Sequence, residues 1–217
     1  MSGAVFLSAG VPDPARAPEF ATTADTVAIT AAVTALIHVV LGRRRLVWGG
    51  HPAITPMIHI VAEQYGVDYG RWVTLYQSRF FVDEYPNDNR RFRNVVEVDA
   101  QSNDREASLA AMRHRMLSDH EIGAAVFIGG MKGIVDEYRL LKRLQPRTRV
   151  IPLASTGGAS IEVARLFAAD DELTRDLSYV RLLHDRLGIP MWERRYRTPE
   201  EQPENPADRI EAFGHRD

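Results

Sequence analysis

The chain has 217 residues, of which 45% are hydrophobic and 26% charged, and its formal net charge is -2. This is an ordinary globular composition with enough length for a sizeable core, and the small net charge speaks against a dedicated nucleic-acid binder. Cysteine is absent, which excludes disulfides and cysteine-ligated metals and favours a cytoplasmic location. We expect no membrane span, because the longest apolar run, AITAAVTALIHVVLG, is shorter than the roughly 20 residues required.

Short apolar runs that end in glycine alternate with helical patterns from the start of the chain. AVFLSAG, at residues 4–10, is predicted to be a buried strand, and the Ala-rich residues 22–41 a buried helix. RRLVWGG, at residues 44–50, predicts a second strand. The segment ITPMIHIVAEQYG then predicts a helix with Thr55 as its cap and Pro56 as its first residue.

The same alternation continues to residue 188 and sets the fold class. The predicted strands lie at residues 72–81, 92–99, 124–129 and 149–155. Helices are predicted at residues 104–120 and 131–144, in TGGASIEVARLFAA and in LSYVRLLHDRLG. DEYPNDNRR is predicted to be an exposed loop. Strands that alternate with helices favour an α/β fold, a Rossmann-like parallel sheet with helices on both faces.

The composition changes after Gly188. The last stretch, IPMWERRYRTPEEQPENPADRIEAFGHRD, is charged and rich in proline, with few apolar anchors. We therefore predict one nucleotide-binding domain over residues 1–190 and a charged arm or tail over residues 191–217, ordered against a partner if it is ordered at all.

Glycine-rich loops follow four of the predicted strands, as SAGVPD, GGHPAIT, GGMKG and STGGAS. Ligands of open α/β sheets bind beyond the carboxyl ends of the strands, and a glycine loop before a helix start is suited to bind phosphate. A single loop of this kind is often only a structural turn, whereas four favour one ligand pocket. The predicted ligand-binding residues are Ser8, Gly10, Gly49, Gly50, His51, Thr55, Gly129, Gly130, Lys132, Gly133, Ser155, Thr156 and Gly157.

Glu137 lies one turn into the helix that follows GGMKG, facing the same pocket mouth, while Asp136 points about 100° away around the helix. A carboxylate there can hydrogen-bond ribose hydroxyls or stabilise positive charge on a ribose during glycosidic cleavage. The alternative is a helix-start carboxylate that the dipole favours. Lys132 has the same two interpretations, a phosphate contact or a solvated loop lysine.

Histidines and serines are weaker candidates. His51 lies directly in a ligand loop, whereas His38 and His59 are interpreted as core-lining or partly exposed residues. Ser8 and Ser155 are predicted hydroxyl donors and not nucleophiles, since neither lies in a Gly-x-Ser-x-Gly turn. No residue spacing is typical of a metal site, and we expect neither a metal nor a cofactor.

GGMKGIVDE resembles the Gly-Gly-x-Gly-Thr-x-x-Glu motif of the Lonely Guy phosphoribohydrolases, which release a base from nucleoside monophosphates. LVWGGHPAITPMIHIVAEQYG looks like that family's second glycine loop and helix. The family also carries an arginine on the helix before the glycine motif, and Arg113, sixteen residues before Gly129, lies at the matching place. The similarity covers residues 4–167 and is of superfamily type. It implies membership of the SLOG superfamily, named for Smf/DprA and Lonely Guy proteins, with a Rossmann-like fold.

The resemblance leaves two functions open. The superfamily includes sensors of nucleotide-derived ligands, such as domains of TRPM channels and of bacterial antiphage systems with cyclic ADP-ribose signals. The extra residue in GGMKG, Ile134 in place of threonine and the STGGAS loop are more similar to the sensors. They imply sensing of an ADP-ribose-type or cyclic nucleotide signal in an antiphage or stress system, through a homo-oligomer or an effector protein.

The alternative is an N-glycosidic hydrolase acting on a nucleoside 5'-monophosphate. In that enzyme Glu137 and Arg113 are the catalytic residues, and their retention favours it. A purely structural or assembly module is the third and weakest interpretation, because it makes the four glycine loops a coincidence.

Overall fold

A computed structural model describes residues 3–51 and 54–210. Within them six parallel strands form one sheet in the order β4-β3-β2-β1-β5-β6. The strands are β1 (Ala4–Gly10), β2 (Leu46–Trp48), β3 (Val73–Ser78), β4 (Asn94–Val98), β5 (Ile122–Gly129) and β6 (Arg149–Leu153). The chain builds β2 to β4 on one side of β1 and then crosses to its other side with β5. The order of the strands therefore reverses between β1 and β5, which is where α/β sheets open a ligand crevice.

Helices cover both faces of the sheet, as predicted. They are α1 (Pro18–Ala21), α2 (Thr26–Val40), α3 (Thr55–Gln64), α4 (Tyr69–Trp72), α5 (Arg105–Ser118), α6 (Lys132–Leu144), α7 (Ser160–Phe167), α8 (Asp171–Arg175) and α9 (Tyr179–Leu187). Side chains alternate along β1, so that Val5 and Leu7 join the core under α2 and α9, while Phe6 joins the core under α5 and α6. The Rossmann-like α/β prediction is confirmed.

Helix α2 is the most deeply buried of these helices, with nine of its 15 residues in the core. It begins later than predicted, because the Asp25 carboxylate accepts hydrogen bonds from the N–H groups of Val27 and Ala28. Fully burying an aliphatic side chain such as Ile29 or Leu36 contributes about 1.5–3 kcal/mol. This helix therefore contributes a large part of the core on its face of the sheet.

Two local predictions are wrong. Thr55 is not the cap of α3: it is already the first helical residue, and its hydroxyl donates back to the carbonyl of His51 over 3.1 Å. The predicted strand that ended at residue 81 stops at Ser78, whose hydroxyl accepts from the Phe80 N–H and starts a 3₁₀ helix, Arg79–Glu84. The chain therefore leaves β3 at Ser78 and continues as a 3₁₀ helix.

The described part of the C-terminal arm packs on the body at the amino ends of the strands. Glu193 is buried and accepts two hydrogen bonds from the Arg44 guanidinium, over 2.5 and 3.0 Å. The indole N–H of Trp72 donates to the carbonyls of Tyr196 and Arg197. The remainder of the predicted arm, residues 211–217, lies outside the described residues.

The described ranges contain no helix that is both long and apolar enough to cross a bilayer.

Candidate functional site

A cavity of about 550 Å³ opens over the carboxyl ends of β1, β2 and β3 and the loop after β5. The start of α6 borders one end of it, residues 77–86 border the other, and α5 runs from Arg105 beside Phe81 to Arg113 beside Glu137. Its size is that of a small-molecule site, which typically measures about 300–1,000 Å³. The cavity lies where the strand order reverses, which is the usual position of a ligand site in an open α/β sheet.

The GGMKG loop connects β5 to α6 at the charged end of the cavity. Gly130 donates its N–H to the Gly10 carbonyl over 2.7 Å and has φ +74°, and a β-carbon there would lie 1.9 Å from the Ile134 side chain. Met131 precedes α6 and gives its first turn no side-chain cap. The uncapped N–H groups of this turn therefore border the cavity and carry the positive end of the helix dipole, an arrangement that binds anions.

Glu137, Arg113 and Ser8 form one polar cluster in this end of the cavity. Ser8 donates its hydroxyl to one Glu137 carboxylate oxygen over 2.5 Å, and Arg113 donates to the other over 3.2 Å. The Glu137 and Arg113 side chains are each 15% exposed. Gly133 makes this pairing possible, because a β-carbon there would lie 2.5 Å from an Arg113 guanidinium nitrogen.

The engaged carboxylate keeps room for a ligand. Each carboxylate oxygen of Glu137 can accept more than one hydrogen bond, so a ligand hydroxyl can be added to those of Ser8 and Arg113. Asp136 also borders the cavity, through its ion pair of 2.7 Å with the exposed Lys132. Both carboxylates therefore have cationic partners, and the two pairs lie at different depths, one half-buried and one at the rim.

The cavity as a whole is not basic. Four Arg or Lys and five Asp or Glu side chains line it. Recognition of an anion therefore depends on local donors and not on the summed field. His51 is uncharged in this setting, because burial, and secondarily the charge of Arg16, lowers its pKa below the ordinary value of 6.5.

The cavity brings together ten of the fifteen residues singled out in the sequence and leaves out five. The lining residues are Ser8, Gly10, Gly49, Gly50, His51, Arg113, Gly130, Lys132, Gly133 and Glu137. Thr55, Gly129, Ser155, Thr156 and Gly157 are not among them.

The STGGAS loop instead lies behind the GGMKG loop. The Thr156 hydroxyl accepts from the Gly129 N–H over 2.9 Å, and Ala159 donates its N–H to the Gly130 carbonyl over 3.0 Å. The Ser155 hydroxyl donates to the carbonyl of Asp176. These contacts hold the glycine turn in place from the side away from the cavity.

Several residues that line the cavity belong to no sequence motif and were not predicted. They include Arg16, Trp48, Gln77, Phe81, Tyr85, Arg105 and Met112. One signal was present: Gln77 is a polar residue at the end of an apolar strand, level with the other strand ends. The aromatic residues after β3 gave no signal, because their place depends on the course of the 3₁₀ segment.

Two comparisons with known proteins bear on this site. A family model described as "SLOG cluster3 family" matches residues 19–187. This range contains β2 to β6, the GGMKG loop, Arg113 and Glu137, but not Ser8. A comparison with curated proteins gave no match.

Proposed function

Because this chain belongs to the SLOG cluster3 family, we propose that its cavity binds a nucleotide-derived ligand of the ADP-ribose or cyclic-nucleotide type and that the protein acts as its sensor. Family membership supports a nucleotide-related binding or modifying role at the level of the superfamily. The observation that carries the proposal is the Ser8–Glu137–Arg113 cluster beside the uncapped start of α6.

The start of α6 is the proposed phosphate site. Its first N–H groups have no side-chain acceptor, and a phosphate placed there gains hydrogen bonds and the favourable end of the dipole. Lys132 lies at the rim and can leave Asp136 for a phosphate, because its ammonium group is a compact, flexible charge. The low net charge of the cavity is no obstacle, since these donors act at close range.

Glu137 is the proposed partner of the ribose. Its carboxylate accepts hydrogen bonds and cannot donate them, so it suits vicinal hydroxyls and rejects a second phosphate. Ser8 and Arg113 fix its two oxygens and hold it in one orientation. The ligand that satisfies both ends has a phosphate next to a sugar, which is the feature that nucleotide-derived signals share.

Sensing is favoured over turnover by the state of Glu137. A glycosidase carboxylate must attack, stabilise an oxocarbenium-like ribose or activate water, and here both carboxylate oxygens are already held by protein donors. We propose that the binding event is passed to an effector protein or to a second copy of the chain. Turnover of a nucleoside 5'-monophosphate is the second candidate, because Glu137 stays partly exposed within the cavity.

The test combines thermal melting with product analysis over AMP, NAD, ADP-ribose and cyclic ADP-ribose. A ligand that binds only the native state adds about 2.7 kcal/mol at a hundredfold excess over Kd, which raises Tm by about 5–11 °C in a chain of this length. A sensor gives this rise without product. Free base in the reaction, lost in Glu137→Gln, would replace sensing by hydrolysis.

The adjacent carboxylate provides the matched control. Glu137→Gln keeps the shape of the side chain but removes the charge that Arg113 faces, and we expect ligand stabilisation to fall. Asp136→Asn makes the same chemical change at the rim and should leave most of it intact. If no compound of the panel raises Tm in the unaltered protein, nucleotide binding is refuted.

A further inference from the structure

The end of the cavity opposite α6 differs from the phosphate end in its chemistry. Trp48, Gln77 and Tyr85 all line it, and they present an indole N–H, an amide and a phenol, which are neutral polar groups. The acidic Glu84 and the Arg105 guanidinium, 5.7 Å over the Phe81 ring, lie on the same wall. The positive charge of Arg105 is thus directed at the Phe81 ring, and the other three groups of this end offer neutral donors and acceptors.

Gln77 and Trp48 are buried residues, and Tyr85 buries its hydroxyl oxygen. Gln77 is 8% and Trp48 2% exposed. Within the described part of the chain, the Trp48 indole N–H and the Tyr85 hydroxyl have no hydrogen-bond partner, and the Gln77 amide forms no side-chain hydrogen bond. Burial raises the pKa of Tyr85 to about 12, so its phenol stays neutral. More than nine in ten buried polar groups are normally paired, so the two unpaired atoms of Trp48 and Tyr85, beside the amide of Gln77, point to a polar, uncharged ligand group.

Gly50, which follows β2, leaves the space that the Gln77 side chain occupies at this wall. A β-carbon on Gly50 would lie 1.9 Å from the Gln77 amide nitrogen, so this glycine leaves the space that the amide occupies. Trp48 and Gln77 come from the carboxyl ends of neighbouring strands, β2 and β3. The amide is therefore fixed by rigid elements and not by a loop.

The two ends of the cavity lie far enough apart for an extended ligand to reach from one to the other. Strands β5 and β3 lie three positions apart in the sheet, with β1 and β2 between them. At about 4.8 Å per strand this places the Gln77 wall roughly 14 Å from the strand that leads into α6. A ligand whose phosphate lies at α6 and whose ribose lies at Glu137 thus projects its base toward Gln77.

We infer that Gln77, with Trp48 and Tyr85 beside it, forms the nucleobase subsite of this cavity and selects adenine. The inference rests on the proposed function. An amide offers one acceptor and one donor side by side, and adenine presents the matching donor and acceptor on its N6/N7 edge. The Hoogsteen edge of guanine presents two acceptors, which match arginine or lysine. Phe81 and Tyr85 add aromatic surface for the face of the base.

The experiment measures binding of AMP, GMP, ADP-ribose and ribose 5-phosphate by calorimetry to the unaltered full-length chain and to Gln77→Leu. We expect AMP to bind more tightly than GMP, and Gln77→Leu to weaken AMP and ADP-ribose by about 5- to 150-fold, the range for one bidentate base contact. Ribose 5-phosphate has no base and should bind both proteins equally.

A second Gln77 variant and a control variant complete the test. Gln77→Glu preserves the volume but replaces the donor by an acceptor, so it should lose AMP, and its melting curve in the absence of ligand measures how much of the fold's stability is kept. Gln64→Leu makes the leucine change on an exposed glutamine of α3 and should change no affinity. Equal binding of AMP and GMP, or unchanged AMP binding in both Gln77 variants, would overturn the base subsite. Failure of all four compounds, ribose 5-phosphate included, would overturn the proposed function as well.

Discussion

The buried ion pair between the arm and the body gives the largest stability effect that we expect. Glu193 and Arg44 are both more than nine-tenths buried, and the carboxylate accepts two hydrogen bonds from the guanidinium. The Glu193 backbone carbonyl also accepts from Arg43. Glu193→Ala removes the carboxylate that pairs with Arg44 and leaves a buried cation without compensation.

The magnitude follows from the cost of an unpaired buried charge. Removing one member of a buried pair typically costs about 3–5 kcal/mol, and in a chain of this size that corresponds to a fall in Tm of about 6–20 °C. The double variant Arg44→Met with Glu193→Leu removes both charges and should recover most of this loss, because a buried pair is often replaced by apolar residues at little net cost.

Urea unfolding of Glu193→Ala and of the double variant measures these values. Glu200→Ala is the matched control on the same arm, since Glu200 forms longer contacts of 3.8 and 3.6 Å with Arg45 and Arg71 and is half exposed. Exposed pairs contribute little, so this variant should melt near the unaltered chain. If Glu193→Ala costs no more than Glu200→Ala, this pair does not hold the arm on the body.

Three further changes test the site and its surroundings. Gly130→Ala forces a side chain into φ +74° and against Ile134, and should cost at least about 1–3 kcal/mol in urea unfolding. Gly133→Ala leaves stability within about 1 kcal/mol, because alanine favours the helix, yet displaces Arg113 and should weaken AMP binding about tenfold in calorimetry. Burial lowers the pKa of His51 and His120 below 6.5, so the unfolded chain takes up protons first as pH falls. Stability should therefore decrease from about pH 6.5 downward, and His51→Asn should flatten that slope in melts from pH 8 to 5.5; an unchanged slope would contradict the assignment.

The sequence was informative where one local pattern decides the structure. Apolar runs that end in glycine can be strands buried on both sides, and their alternation with helices leaves few arrangements other than a covered parallel sheet. The spacing of Gly133 and Glu137 along one helix was enough to predict that the carboxylate faces the glycine loop. Helix periodicity alone carries that information.

The rest of the site depends on tertiary packing that no local pattern encodes. Thr156 and Gly157 resemble ligand-loop residues in sequence, yet the Thr156 hydroxyl bonds the Gly129 N–H from behind the turn. Gln77 gave the opposite result: nothing around it resembles a motif, and its polar side chain at a strand end becomes informative only once the order of the strands is known. Glycine patterns show where the backbone turns sharply, but not which side of the turn a ligand occupies.

The arm and the cavity lie at opposite ends of the strands, and this separation leads to a last prediction. Residues 43–45 precede β2 and contact the arm, whereas the cavity lies beyond its carboxyl end. The seven residues of β1 span about 23 Å, and changes more than about 10 Å apart without shared partners usually add within about 0.5 kcal/mol. AMP at a hundredfold excess over its Kd should therefore stabilise Glu193→Ala and the unaltered chain equally in urea unfolding. A difference above about 1 kcal/mol would contradict this independence, and it would identify the arm as the element through which an occupied cavity is sensed.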